Sequence, residues 1–142
     1  MEVRVKRIHP DAKLPTYGSD AAACFDLYAV HDGYVDAFDD GVANTGLAFE
    51  VPEGYALMVY SRSGHGFHHR ISLVNSVGVC DADFRGSVQV GLRNDSPIRF
   101  RYCVGDRIAQ AMVVPVPKVT FVEVDSLTET VRGIGGFGST GA

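Results

Sequence analysis

An all-β domain, most simply a jelly-roll-like double sheet, is the fold class this sequence predicts. Three observations carry it. Short apolar or alternating segments recur along the chain, turn chemistry stands between them, and no stretch keeps a long helical period. With 142 residues and 46% hydrophobic content, the chain can bury one core.

The elements follow in order. Val3 to Ile8 alternates apolar with basic residues and predicts the first strand. Phe25 to Val30 and Leu47 to Val51 come next, separated by Asp32-Gly33 and Asp40-Gly41, which read as turns. Pro52-Glu-Gly54 turns the chain into Tyr55 to Tyr60, and Gly64 to Arg70 is the one segment that predicts a helical turn. Strands are then expected over Ile71 to Asn75, Val88 to Leu92, Ile98 to Tyr102, Ile108 to Val114 and Val119 to Val124. Asn94-Asp-Ser-Pro97 and Pro115-Val-Pro117 supply turn or strand-edge chemistry between them. The expected division is a β domain over 1–131 and a flexible, glycine-rich C-terminal lid over 132–142.

Charge and cysteine usage remove several classes of function. A net charge of -4 and a pI near 5.6 argue against stable binding of long nucleic acid, which calls for a basic surplus. No apolar run has the length of a membrane span, and Met1 to Arg7 lacks the apolar stretch of a signal peptide. The expected location is therefore cytoplasmic. Cys24, Cys80 and Cys103 are odd in number and show no C-x-x-C spacing, so neither a disulfide framework nor a zinc site is suggested.

Four segments carry groups that could do chemistry. Ser61-Arg62-Ser63-Gly64 joins a cation, hydroxyls and a glycine just before the helical turn, a phosphate grip or else a solvated loop. His65, His68 and His69 follow, with no third ligand at metal spacing. Asn75 through Gly86 reads as a hairpin around a glycine turn, followed by Asp81 and Asp83 in apolar surroundings. Free main-chain groups at such a hairpin can pair with the edge of a pyrimidine, Asn75 can donate or accept, and Asp81 can act as general base toward a water. Asp81 and Asp83 could equally do no more than end a turn. In Gly105 through Gln110, adjacent Asp106 and Arg107 are expected to form a structural ion pair, leaving Gln110 as the functional candidate. Asp26 stands among apolar neighbours, where a carboxylate needs a partner.

The tail, Arg132 to Ala142, adds a cation, an aromatic ring, two hydroxyls and five glycines with little to anchor it. It is composed to close over a phosphate-bearing ligand, although a disordered terminus has the same composition. Gly133 to Gly138 matches G-x-G-x-x-G, but the chain ends four residues later, with no room for the helix and strand of a dinucleotide fold.

Five blocks in this order, Cys24 to Ala29, Arg62 to Gly64, Asn75 to Gly86, Gly105 to Gln110 and Arg132 to Gly141, resemble the five motifs of the trimeric dUTPases. The resemblance covers nearly the whole chain. It implies a β-clip homotrimer with a flexible C-terminal arm that hydrolyses dUTP to dUMP and pyrophosphate with Mg²⁺, feeding thymidylate synthesis. By position, Asp81 resembles the base that activates the water attacking the α-phosphorus. Arg62, Ser63, Gly64 and Gln110 would hold phosphates. Asn75 and the main chain of Val79, Cys80, Asp81 and Gln89 would line the uracil site. Phe84 would pack under the deoxyribose, and Asp26 would support the metal's water shell indirectly. In the tail, Arg132, Gly138, Ser139 and Thr140 would close on the γ-phosphate end while Phe137 stacks on uracil.

Three residues depart from the family pattern. Phe84 stands where the family usually has tyrosine, His65 where it prefers an aliphatic residue, and Cys24 where a small residue is usual. The alternatives are a dCTP deaminase-like enzyme, whose family carries Arg-Ser-Ser and a catalytic glutamate, and a non-catalytic nucleotide-sensing or protein-binding module on the same scaffold. The sequence names no regulatory protein partner.

Overall fold

The computed structural model of the chain describes residues 1–139 and residue 141. Its largest sheet has five strands in the order β2 (Thr16–Tyr17), β3 (Phe25–Tyr28), β12 (Arg107–Pro115), β7 (Tyr55–Tyr60) and β9 (Val77–Cys80). A three-stranded sheet runs β5 (Asp40–Asn44), β10 (Gln89–Asn94), β8 (Ile71–Leu73). Two-stranded pairs join β1 (Arg4–Arg7) to β6 (Leu47–Glu50) and β11 (Phe100–Tyr102) to β4 (Gly33–Val35). The one helix among the described residues, α1 (Ser63–His69), connects β7 to β8. The fold is all-β, as expected.

Alternation makes the core. Leu57 and Val59 of β7 and Leu27 of β3 meet Ile71, Leu73, Val90 and Leu92 of the three-stranded sheet in one buried cluster. Ala109 and Ala111 are fully buried at the middle of the five-stranded sheet. Two polar side chains also lie fully inside, and both are satisfied. The Asn94 amide donates to the carbonyls of Val35, Asp36 and Ile98 at 3.2, 3.0 and 2.8 Å and accepts from the backbone N–H and hydroxyl of Ser96. Thr45 donates to the Val88 carbonyl at 2.8 Å and accepts from Leu47. Gly46, at φ 65°, has room for no Cβ, since one would come within 2.9 Å of His9.

Several expectations are corrected. Asp32-Gly33 and Asp40-Gly41 do not simply turn the chain: Gly33 opens β4 and Asp40 opens β5, each paired antiparallel to a distant strand. Val119 to Val124 forms no strand, because no edge of its own chain pairs with it. The last sheet residue is Pro115, and the Val116 N–H donates to the Gly54 carbonyl at 2.8 Å. Beyond that point residues 117–133 are exposed, so the arm leaves the sheet well ahead of the glycine-rich boundary at 131 and 132.

Candidate active site

Three adjacent strands deliver one charged cluster to one end of the large sheet. On β12, Gln110 stands opposite Asp26 of β3 on one side and Tyr60 of β7 on the other. Arg62, two residues past the end of β7, acts as the N-cap residue of α1 without a capping side-chain hydrogen bond. The first N–H groups of the helix therefore stay available to an oxyanion beside Ser63 and Gly64.

Asp26, buried in this cluster, is held by two arginines. Arg62 Nε donates to its Oδ1 at 3.1 Å and an Arg107 terminal nitrogen to its Oδ2 at 3.3 Å. Burying a carboxylate costs several kcal/mol unless it is paired, and here both oxygens are paired. A second Arg62 nitrogen reaches the Arg107 carbonyl at 3.4 Å, tying the two guanidinium-bearing segments together. Gln110 Nε2 donates to the Ser61 carbonyl at 2.9 Å, while the Ser61 hydroxyl accepts from the Leu73 N–H at 2.8 Å. The expected Asp106–Arg107 pair does not form. Asp106 instead accepts from the Cys103 N–H at 2.8 Å and closes the turn before β12.

Arg107 is the residue that sequence reasoning missed. The register of β12 against β3 shifts between Arg107 and Ala109, a bulge that leaves Ile108 and Ala109 both buried in succession. Simple alternation would have sent Arg107 to the core side with Ala109. The bulge frees it to join Asp26, and only two successive apolar residues after Arg107 hinted at the break.

The segment from Asn75 to Gly86 differs from a simple hairpin. Its turn is at Asn75–Ser76, with Ser76 at φ 61°, and the two arms pair with different partners, β8 with β10 and β9 with β7. Gly78 lies within β9, not at the turn, where a Cβ would come within 3.2 Å of Val59 and 3.6 Å of the Asn75 amide. β9 is the edge of the large sheet, so its outward N–H and C=O groups between Val77 and Cys80 are free to receive a ligand. Asp81 follows on an exposed turn in which its carbonyl accepts from the Phe84 N–H at 3.1 Å. It opens onto a groove of about 900 Å³ lined also by Val79, Tyr55, Arg4 and Arg85. The Phe84 ring covers Gly86 and is 44% exposed, and Gln89 begins β10 with its side chain exposed. Burial and the neighbouring Asp81 charge push the Cys80 thiol up from its ordinary value.

One chain does not bring these two halves together. Cys80 pairs with Leu57 and Val77 with Tyr60, so Asp81 falls level with Ala56 near the Tyr55 end of β7, and Arg62 lies past the other end. Six residues of strand separate them, roughly 20 Å at about 3.3 Å per residue.

Among its described residues the tail makes no hydrogen bond to either half. Arg132 Nε donates to the Gly135 carbonyl at 2.9 Å within a local turn, Phe137, Gly138 and Ser139 are exposed, and Thr140 lies outside the described residues. The histidines pack against β11: His65 meets the Phe100 ring edge-on at 5.2 Å and His69 meets it at 5.7 Å. Burial, followed by the Arg62 and His69 charges, pushes the His65 imidazole below its ordinary value. Among the described residues no three His, Cys, Asp or Glu side chains are grouped to hold a metal ion.

Comparisons with known proteins agree with this architecture. A family model described as dUTPase matches residues 10–141. The deoxyuridine 5'-triphosphate nucleotidohydrolase of Helicobacter hepaticus is 44% identical over 141 residues, covering 99% of this chain and 89% of that protein. The protein of the same name from Helicobacter pylori is 41% identical, covering 99% and 97%. Among solved structures, Staphylococcus bacteriophage 80alpha dUTPase with dUPNHPP shares the fold at a TM-score of 0.92 and 23% identity, with 99% of each chain covered. A dUTPase from phage phi11 of S. aureus, described with a structural Mg(II) ion, shares it at 0.83 and 18% identity, covering 89% and 98%. No helix among the described residues is long and apolar enough to cross a membrane.

Proposed function

Because the chain belongs to the dUTPase family, we infer that it is a dUTP diphosphatase, hydrolysing dUTP to dUMP and pyrophosphate. The observation that carries this reading is the family match across residues 10–141, with Asp81 and the arginine cluster both present in the chain. Arg62, the open helix end at Ser63 and Gly64, and the free amide hydrogen of Gln110 bind the triphosphate. Asp26 holds Arg62 and Arg107 in place so that their remaining N–H groups face the phosphates. The β9 edge and Asn75 read the pyrimidine. Asp81 takes the proton from the water that attacks the α-phosphorus, and the pyrophosphate oxygen leaves against the arginines.

The donor set fits a magnesium ion carried on the substrate. Both Asp26 oxygens face guanidinium groups, leaving lone pairs for a metal-bound water but no protein cage, which suits an ion held by phosphate oxygens and water. When bound, magnesium supplies neutralisation of the phosphate charge.

The roughly 20 Å between Asp81 and Arg62 supports a site shared between chains, with one copy supplying base and pyrimidine edge and another supplying the phosphate grip. The homotrimer of this reading closes three such sites by rotation. The free arm then lets Arg132, Phe137, Gly138, Ser139 and Thr140 close over a neighbouring site and exclude water. Pyrophosphate release from dUTP, dCTP, dTTP and UTP, with and without Mg²⁺, tests the function. Magnesium-dependent release with dUTP strongly preferred is the expected result, and equal turnover of dCTP would contradict it. Phe84→Ala is expected to erode the preference for dUTP over UTP about tenfold or more, because the ring is the wall under the sugar.

A further inference from the structure

His65 is out of keeping with its surroundings. It lies on α1 three residues after Arg62, where the family pattern prefers an aliphatic residue, and its ring packs edge-on against Phe100 at 5.2 Å and against His69 at 6.3 Å. Its Nδ1 is sealed from solvent with no hydrogen-bond partner, the only side-chain nitrogen or oxygen among the described residues in that state. An aliphatic side chain would fill such a place without orphaning a polar atom, so the imidazole lowers stability where it stands. A local cost of this kind beside a binding cluster points to work done on the ligand.

The charges around the ring indicate what that work is. Arg62 and Arg107, the two guanidinium groups clamped on Asp26, both bear on it, as does His69. Asp106 is the opposing acid, and the contact on β11 is the uncharged Phe100 ring. Burial first, and the Arg62 and His69 charges next, hold the imidazole below its ordinary value in the free chain. A triphosphate reverses this balance, because it brings several negative charges to the arginines and so favours the charged form of a ring beside them. Nε2, which is not sealed as Nδ1 is, is the nitrogen open to proton exchange.

We propose that His65 takes up a proton when the triphosphate binds and becomes a further cation of the phosphate grip formed by Arg62 and Arg107, an inference that rests on the dUTP-binding role proposed above for that cluster. The added affinity is fully present below the pKa of the free ring and is lost as the pH rises through the higher pKa of the bound ring. Binding therefore tightens on acidification from about pH 8 to about pH 6.

Calorimetry of the full chain with dUPNHPP, an imido analogue of the triphosphate, and Mg²⁺ tests this in buffers of different ionisation enthalpy on the parent, His65→Leu and His65→Gln. Protons exchanged by the ligand itself are common to all three proteins, so the difference belongs to residue 65. At about pH 7 the parent is expected to take up about half a proton more than either variant. Between about pH 8 and 6 its Kd is expected to fall about fivefold or more relative to theirs. The imidazole C–H resonance missing from the spectrum of His65→Leu is expected to titrate about one pH unit or more higher in the complex than in the free parent. Equal proton uptake with parallel Kd profiles in all three proteins, or an unmoved titration of that resonance, would overturn the proposal. A parent-like profile in His65→Gln would do the same, because polarity and not the proton would then be at work. A parent that fails to bind dUPNHPP contradicts the proposed function and this inference with it, whereas binding without the extra proton contradicts only the role of His65.

Discussion

At the scale of single residues, the site divides into groups that react and groups that hold. Asp81 directly follows the edge strand β9, and no cation in its own chain pairs with it among the described residues. Asp81→Asn is expected to keep fold and dUTP binding but to lower kcat by about two orders of magnitude or more, because an amide accepts no proton from the attacking water. Single-turnover and binding measurements on the purified variant check this. His65 belongs to the holding groups. Its imidazole is pushed below its ordinary value, so near neutral pH folded and unfolded forms are both uncharged there. Below about 6.5 the unfolded chain takes up the proton first and stability falls, until the folded form is protonated too. His65→Leu is expected to flatten the fall in urea midpoint between about pH 7 and 5 relative to the parent.

At the scale of elements, what the sequence made legible was alternation, and what it concealed was pairing. β1, β3, β6, β7 and β12 fall where alternating or apolar runs predict them, because each presents one face to the shared core. β4 and β5 were hidden by Asp-Gly pairs, which favour turns in isolation but are overridden here by tertiary pairing with β11 and β10. The Asn75 to Gly86 segment was legible as a turn followed by two carboxylates from its residue types. That its arms join different sheets is a long-range fact no local pattern carries. Asn94 makes the same point: its sequence neighbours marked only turn or strand-edge chemistry, yet it is a fully buried bracket between β10, the end of β4 and the turn before β11. Asn94→Ala would withdraw the amide donor from the carbonyls of Val35, Asp36 and Ile98, of which Ile98 keeps the Ser96 hydroxyl, and is expected to cost about 3 kcal/mol of unfolding free energy in urea titration.

At the scale of the whole molecule, the groups that the proposed reaction uses are divided between two ends of one sheet. Asp26, Arg62, Arg107 and Gln110 meet at one end, and Asp81 with the β9 edge stands at the other. The arm leaves Val119, Phe121, Val122 and Leu127 all unburied on its own chain. The measurement that tests this division most directly is complementation between Asp81→Asn chains and Arg62→Gln chains, unfolded and refolded together at equal ratio. Each parent alone lacks one half of every site. If base and phosphate grip come from different chains, about a quarter of the sites in the randomly assembled mixture contain both halves intact, and activity returns to about a quarter of that of the unmodified protein. Mixed assemblies of demonstrated composition that remain as inactive as the parents would contradict the account, because they would mean that each chain uses its own Asp81 with its own Arg62.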